Sequence, residues 1–174
     1  MASGILVPIG MIDKKLLELL AGILTKTFFI TFSIAEPIDI LEHAFNARRK
    51  QYYSTSILKT LRETYHAEKV LGIIDKDLFV PDLNFVFGEA DIHGRVAVIS
   101  ITRLRQEFYG LPHDENVFFD RVVKEAVHEL GHTYGLRHCS DHTCVMFFSN
   151  SLLDTERKSR SFCSRCMKKL ETLR

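Results

Sequence analysis

The 174-residue chain is 46% apolar, with mean hydropathy +0.01 and a formal net charge of +1 at pH 7. That length and composition fit one soluble domain, 1–174, with a sizeable core. The balanced charge argues against nucleic acid or a membrane surface as a partner, and no repeat or low-complexity tract points to an array or a linker.

Residues 4–12 are apolar but too short to span a bilayer, and no basic head precedes them. They read as a buried strand, and the protein as cytoplasmic. Asp13 is placed to cap a helix whose apolar stripe is Leu16, Leu17, Leu20, Ile23 and Leu24. Aromatic and β-branched residues over 28–34 predict a second strand, interrupted by Glu36-Pro37. A helical turn is expected within 38–45, and Arg48-Arg49-Lys50 reads as a solvated loop. Ser54, Thr55 and Ser56 offer caps to a helix striped by Ile57, Leu58, Leu61 and Tyr65. Strands are expected at 70–74, 84–87 and 95–102, with a loop beginning at Gly88. The connection 104–116 is polar, and Tyr109 and His113 could face a cleft. From Val117 a long helix buries Phe119, Val123, Ala126, Val127, Leu130 and Tyr134. Beyond it, Phe147 and Phe148 read as core, 154–160 as a solvent-facing charged stretch, and 167–173 as a last helix.

The chemistry is concentrated in that long helix and the segment after it. His128 and His132 are one helical turn apart, so their imidazoles share a face and can reach one tetrahedral ion. Glu129 is the next residue round the helix from His128, placed to act as general base beside a metal without ligating it. Gly135 is suited to the left-handed conformation that ends a helix, after which His138 can return to the same ion. Three neutral ligands leave one position open for water, as a catalytic zinc requires. The competing account, a surface helix that happens to carry histidines, needs scarce residue types to coincide at five fixed positions.

All four cysteines lie beyond the third histidine: Cys139, Cys144, Cys163 and Cys166. Their spacings suit a closed tetrathiolate zinc site that ties the loop after the helix to the C-terminal segment. A thioredoxin-like Cys163/Cys166 disulfide would need a preceding strand and would leave the other pair unexplained. His142 lies between two of the cysteines, but four thiols already complete a tetrahedron. His43, His66 and His93 have no ligand spacing and read as structural.

On these residues, the chain resembles a metzincin, and more closely an archaemetzincin. The metzincin signature is matched at His128, Glu129, His132, Gly135 and His138, and the archaemetzincin addition at Cys139, Cys144-Val145-Met146 and the Cys163/Cys166 pair. The resemblance implies an α+β zincin fold. A mixed twisted sheet and the active-site helix would form an upper subdomain, about 1–135, above a small zinc-stapled lower one, about 136–174. It implies that Met146 is the family's Met-turn methionine, a floor under the catalytic zinc. In zincins an edge strand pairs with bound peptide; residues 96–102 or 84–87 are the candidates for it here. The expected protein is a monomeric zinc metallopeptidase with two zinc ions per chain and a peptide or protein substrate. A hydrolase for a non-protein amide, a catalytically silent zinc-stabilised binding protein and a nucleic-acid zinc ribbon are the alternatives. The last lacks a clustered basic and aromatic face.

Overall fold

The computed structural model describes residues 3–173. Its centre is a five-stranded sheet in the order β2 (Thr31–Ile34), β1 (Ser3–Ile9), β5 (Lys69–Ile74), β8 (Val96–Ser100) and β7 (Gly88–Ala90). The first four run parallel and β7 is antiparallel to β8. A second, small sheet holds β3 (Phe45–Asn46), β4 (Gln51–Tyr53) and β6 (Leu78–Phe79). The two central strands β5 and β8 are buried at every position, as parallel strands covered on both faces must be.

The alternation along the strands sorts the core into two layers. Leu6, Leu71, Ile73, Ala97 and Ile99 pack with α1 (Lys14–Phe28) and α3 (Glu115–Thr133). Val7, Ile9, Val70, Ile74, Val96 and Val98 pack with Ile57, Leu58 and Leu61 of α2 (Ser54–Thr64). The segment after α3 joins the first layer through Leu136, Val145, Met146, Phe162 and Leu170. It carries two short helices, α4 (Leu152–Arg157) and α5 (Ser164–Leu173).

Asp13 caps α1 by accepting the Leu16 amide, as expected. The strand expected over 28–34 is shorter, because α1 continues to Phe28 and stops at Phe29, whose φ is 58°. Burial decides this: Phe28 is fully enclosed and stacks on Tyr134, with ring centroids 5.4 Å apart. Helix α2 begins at Ser54 behind Tyr53, without a side-chain cap. The Ser54 and Thr55 hydroxyls instead donate to the Glu89 carboxylate.

Arg49 is not simply solvated. It donates to the carbonyls of Leu83 and Asn84 and lies over the Phe79 ring, which ties the loop before β7 to the small sheet.

Three further differences bear on function. Residues 84–87 make only an isolated bridge through Val86, and the loop expected from Gly88 is the true edge strand. Strand β8 has partners on both sides and has no free edge to offer a peptide. The charged stretch 154–160 is not uniformly solvent-facing: Thr155 and Lys158 are buried. Tyr109 donates to the Arg103 carbonyl, and His113 sits between Glu107 and Glu115; neither lines the cleft described below.

Candidate metal centre

Helix α3 begins at Asp114, whose side chain accepts the Val117 amide. It passes beneath the β7 edge, with Glu125, His128, Glu129 and His132 along one wall of a cleft of about 390 Å³. Gly88, Glu89 and Ala90 of β7 line the cleft, and Phe148, Ser149 and Asn150 from the segment after α3 also contribute.

At the end of α3 the chain reverses at Gly135, with φ 88°. The His93 ring fills the space against it, leaving no room for a Cβ, while the His93 amide donates to the His132 carbonyl. Lys69 donates to the Thr133 carbonyl at 3.0 Å. A cation at the helix C-terminus and a paired carbonyl fix this end of the helix. The reversal returns His138 toward the helix, and the ligand atoms of His128, His132 and His138 lie within 4.8 Å of one another.

The hydrogen bonds decide which nitrogens are free. His128 Nδ1 lies 2.8 Å from the Val145 carbonyl and His132 Nδ1 lies 2.7 Å from the Leu136 carbonyl. A carbonyl only accepts, so both Nδ1 atoms carry the proton and both Nε2 atoms present lone pairs. Those two Nε2 atoms face each other at 3.1 Å. Burial, and next the Lys158 charge, hold His128 well below its usual proton affinity. Burial brings His132 down to about 4, against the pull of the Leu136 carbonyl. Neither ring therefore takes a second proton near neutrality, and two lone pairs converge with no proton between them. That arrangement suits a cation. A tetrahedral ion about 2.0–2.1 Å from each nitrogen would separate them by about 3.3 Å. His138 is the outer member, its ring 4.7 Å from that of Phe148. Phe148 is thus 41% exposed cleft wall rather than core.

Met146 is fully buried and packs against Gly131 of α3. A side chain at Gly131 would come within 2.6 Å of the Met146 sulfur, so the glycine lets the turn dock directly under the helix. Its carbonyl accepts the Cys139 amide at 2.9 Å, which links the floor to the residue following His138.

Glu129 is held protonated to well above the usual carboxylate range, by burial first and by the nearby Glu125 carboxylate next. Gly88 stands against it: a Cβ there would lie 2.7 Å from both Glu129 Cγ and the Val98 carbonyl oxygen. In the sequence Gly88 reads as the start of a loop. A Gly88→Ala substitution is expected to push Glu129 off its position, because the backbone on the other side cannot yield. It should lower peptide hydrolysis by about 10²-fold, the scale of a 1 Å misplacement, with zinc content unchanged. Zinc analysis beside kcat/KM checks it.

The four sulfur atoms of Cys139, Cys144, Cys163 and Cys166 form a second cluster, also within 4.8 Å of one another, and all four thiols are free. Cys139 and Cys163 are 3.9 Å apart, close to the separation of about 3.8 Å that a tetrahedral ion at about 2.3 Å imposes. Backbone amides of Asp141 and Cys163 and the Arg165 guanidinium donate to sulfur. Burial works against ionising Cys139, but the Asp141 amide, Arg165 and the neighbouring thiols outweigh it and bring it down to about 7. Cys166 is driven the other way, by burial first and then by Cys144. Four sulfurs this close cannot shed their protons together without a cation among them, and the donor set suits zinc. His142 is exposed and lies outside the cluster.

The chain is similar to known proteins over most of its length. The model of Peptidase family M54 matches residues 22–172. The archaemetzincin of Methanocaldococcus jannaschii is 44% identical over 167 residues, covering 94% of this chain and 90% of that protein. The crystal structure of the archaemetzincin from Methanopyrus kandleri superposes with a TM-score of 0.88 at 38% identity, covering 99% of this chain and 94% of that one. A zinc-dependent peptidase from Methanocorpusculum labreanum superposes with a TM-score of 0.87 at 28% identity, covering 96% and 99%. The chain belongs to peptidase family M54, the archaemetzincins, and with them to the zinc metallopeptidases.

Proposed function

We propose that this peptidase holds its catalytic zinc with His128, His132 and His138, holds a second, structural zinc with the four cysteines, and uses Glu129 as general base. The observation that carries the reading is the pair of imidazole lone pairs facing each other at 3.1 Å with their protons committed to backbone carbonyls. When bound, zinc supplies Lewis acidity, polarising a peptide carbonyl and making water easier to deprotonate. Strand β7 offers its outer backbone groups to an extended peptide lying along the cleft. Glu129, opposite Gly88 of that strand, takes a proton from the attacking water and passes it to the departing amide nitrogen. Phe148 packs against the His138 ring, with centroids 4.7 Å apart.

The experiment is metal analysis of the purified chain beside a His132→Ala variant. Two zinc ions per chain are expected for the parent, one for each ligand group. One is expected for the variant, together with loss of peptide cleavage. A variant that keeps the parent's zinc content would overturn the assignment of the histidine site.

A further inference from the structure

The cleft wall beside the histidines has a polar corner that the proposed chemistry does not use. Glu125 lies one turn before Glu129 on α3, is 2% exposed and lines the cleft. Its Oε1 accepts the Thr155 hydroxyl at 3.1 Å, and Lys158 Nζ stands 3.1 Å from the same oxygen. No described residue donates a hydrogen bond to Oε2. Ser149 lines the same cleft, and its buried hydroxyl finds no hydrogen-bond partner among the described residues. The surrounding walls are aromatic: Phe85 and Phe87 meet edge to face at 5.1 Å, and Phe148 stands by Ser149.

We infer that this corner receives the side chain of a substrate tyrosine, its phenol donating to Glu125 Oε2 and accepting from Ser149. The inference rests on the peptidase reading above.

Charge selects among the candidates. A lone buried carboxylate would call for a lysine or arginine. Here the Lys158 ammonium, with a fully buried side chain, already compensates Glu125, and a second cation would be brought up against it. A neutral group that both donates and accepts satisfies both orphaned positions. The phenol does so on a ring that can pack against the three phenylalanines. A phenylalanine in its place would leave both the Ser149 hydroxyl and Glu125 Oε2 unpaired.

The test uses zinc-loaded protein and peptide pairs that differ only by tyrosine or phenylalanine at each position beside the scissile bond. Two measurements are made: kcat/KM with the parent enzyme, and equilibrium binding to the Glu129→Gln variant. At one position tyrosine should be favoured by about 10-fold or more, the range of a hydrogen bond to a charged group. The preference should fall close to parity in Ser149→Ala. It should fall likewise in the double variant Glu125→Gln/Lys158→Met, which removes both buried charges together because an orphaned Lys158 could prevent folding. Parity in the parent at every position, a stronger preference for lysine or arginine, or a tyrosine preference that survives both variants would overturn the inference. Tyrosine-selective binding without cleavage by the parent would sink the peptidase reading and keep this one. Cleavage without discrimination would do the reverse.

Discussion

A Glu129→Gln protein is expected to keep its zinc and its fold while losing peptide hydrolysis by about 10²–10⁴-fold, the range that a positioned acid–base group contributes. The amide is nearly isosteric with the carboxylate, so the close approach to Gly88 is preserved. What is lost is the capacity to take a proton. Without a metal, burial and the Glu125 charge keep that carboxyl protonated well above its usual range. A dication held by the neighbouring histidines would favour the carboxylate that a general base needs. The histidines need no proton removed near neutrality, since burial already keeps His128 and His132 neutral. Measured kcat/KM together with zinc content decides the matter: full hydrolysis by a zinc-loaded Glu129→Gln protein would remove Glu129 from the mechanism.

The parts of the fold legible in the sequence are those set by neighbours in the chain. Asp13 announces its helix because an N-cap needs only the next turn. His128, Glu129 and His132 reveal their shared wall because helical periodicity alone places them there. The four cysteines converge as expected because their types and spacing leave few other uses.

Where distant chain segments decide, the sequence misleads. Gly88-Glu89-Ala90 has poor strand propensity, yet pairing with β8 makes it the edge that bounds the cleft. Phe28 has strand-like character, but a stacking partner on the far side of the chain, Tyr134, draws it into α1. Lys158 lies in a run of charges that reads as surface. It is buried because Glu125, 33 positions earlier, offers it an oxygen at the cleft wall. The role of His93 could not be read from ligand spacing either, because its partner is the space that Gly135 leaves open.

The cysteine cluster has the largest expected effect on the lower part of the molecule. A Cys166→Ser protein is expected to lose the second zinc and, with it, order in the segment beyond α3. Metal binding by comparable sites in isolated fingers is worth about 10–16 kcal/mol, more than a segment with so few core residues of its own can replace. The consequence should reach the histidine site. His138 and Cys139 are adjacent, so their side chains reach two different clusters from consecutive backbone positions. The Cys139 amide also donates to the Met146 carbonyl, and Met146 lies directly against Gly131 of α3. Releasing Cys139 from its cluster therefore frees the backbone that carries His138 and loosens the floor under His132. Zinc affinity at the histidines should fall by about 10–100-fold, the scale seen when the groups supporting a ligand are removed. Competition against a chromogenic chelator measures that affinity, and circular dichroism tracks the accompanying loss of structure. Histidine-site affinity equal to the parent's, in a protein that has lost its cysteine-bound zinc, would show that the two clusters act independently.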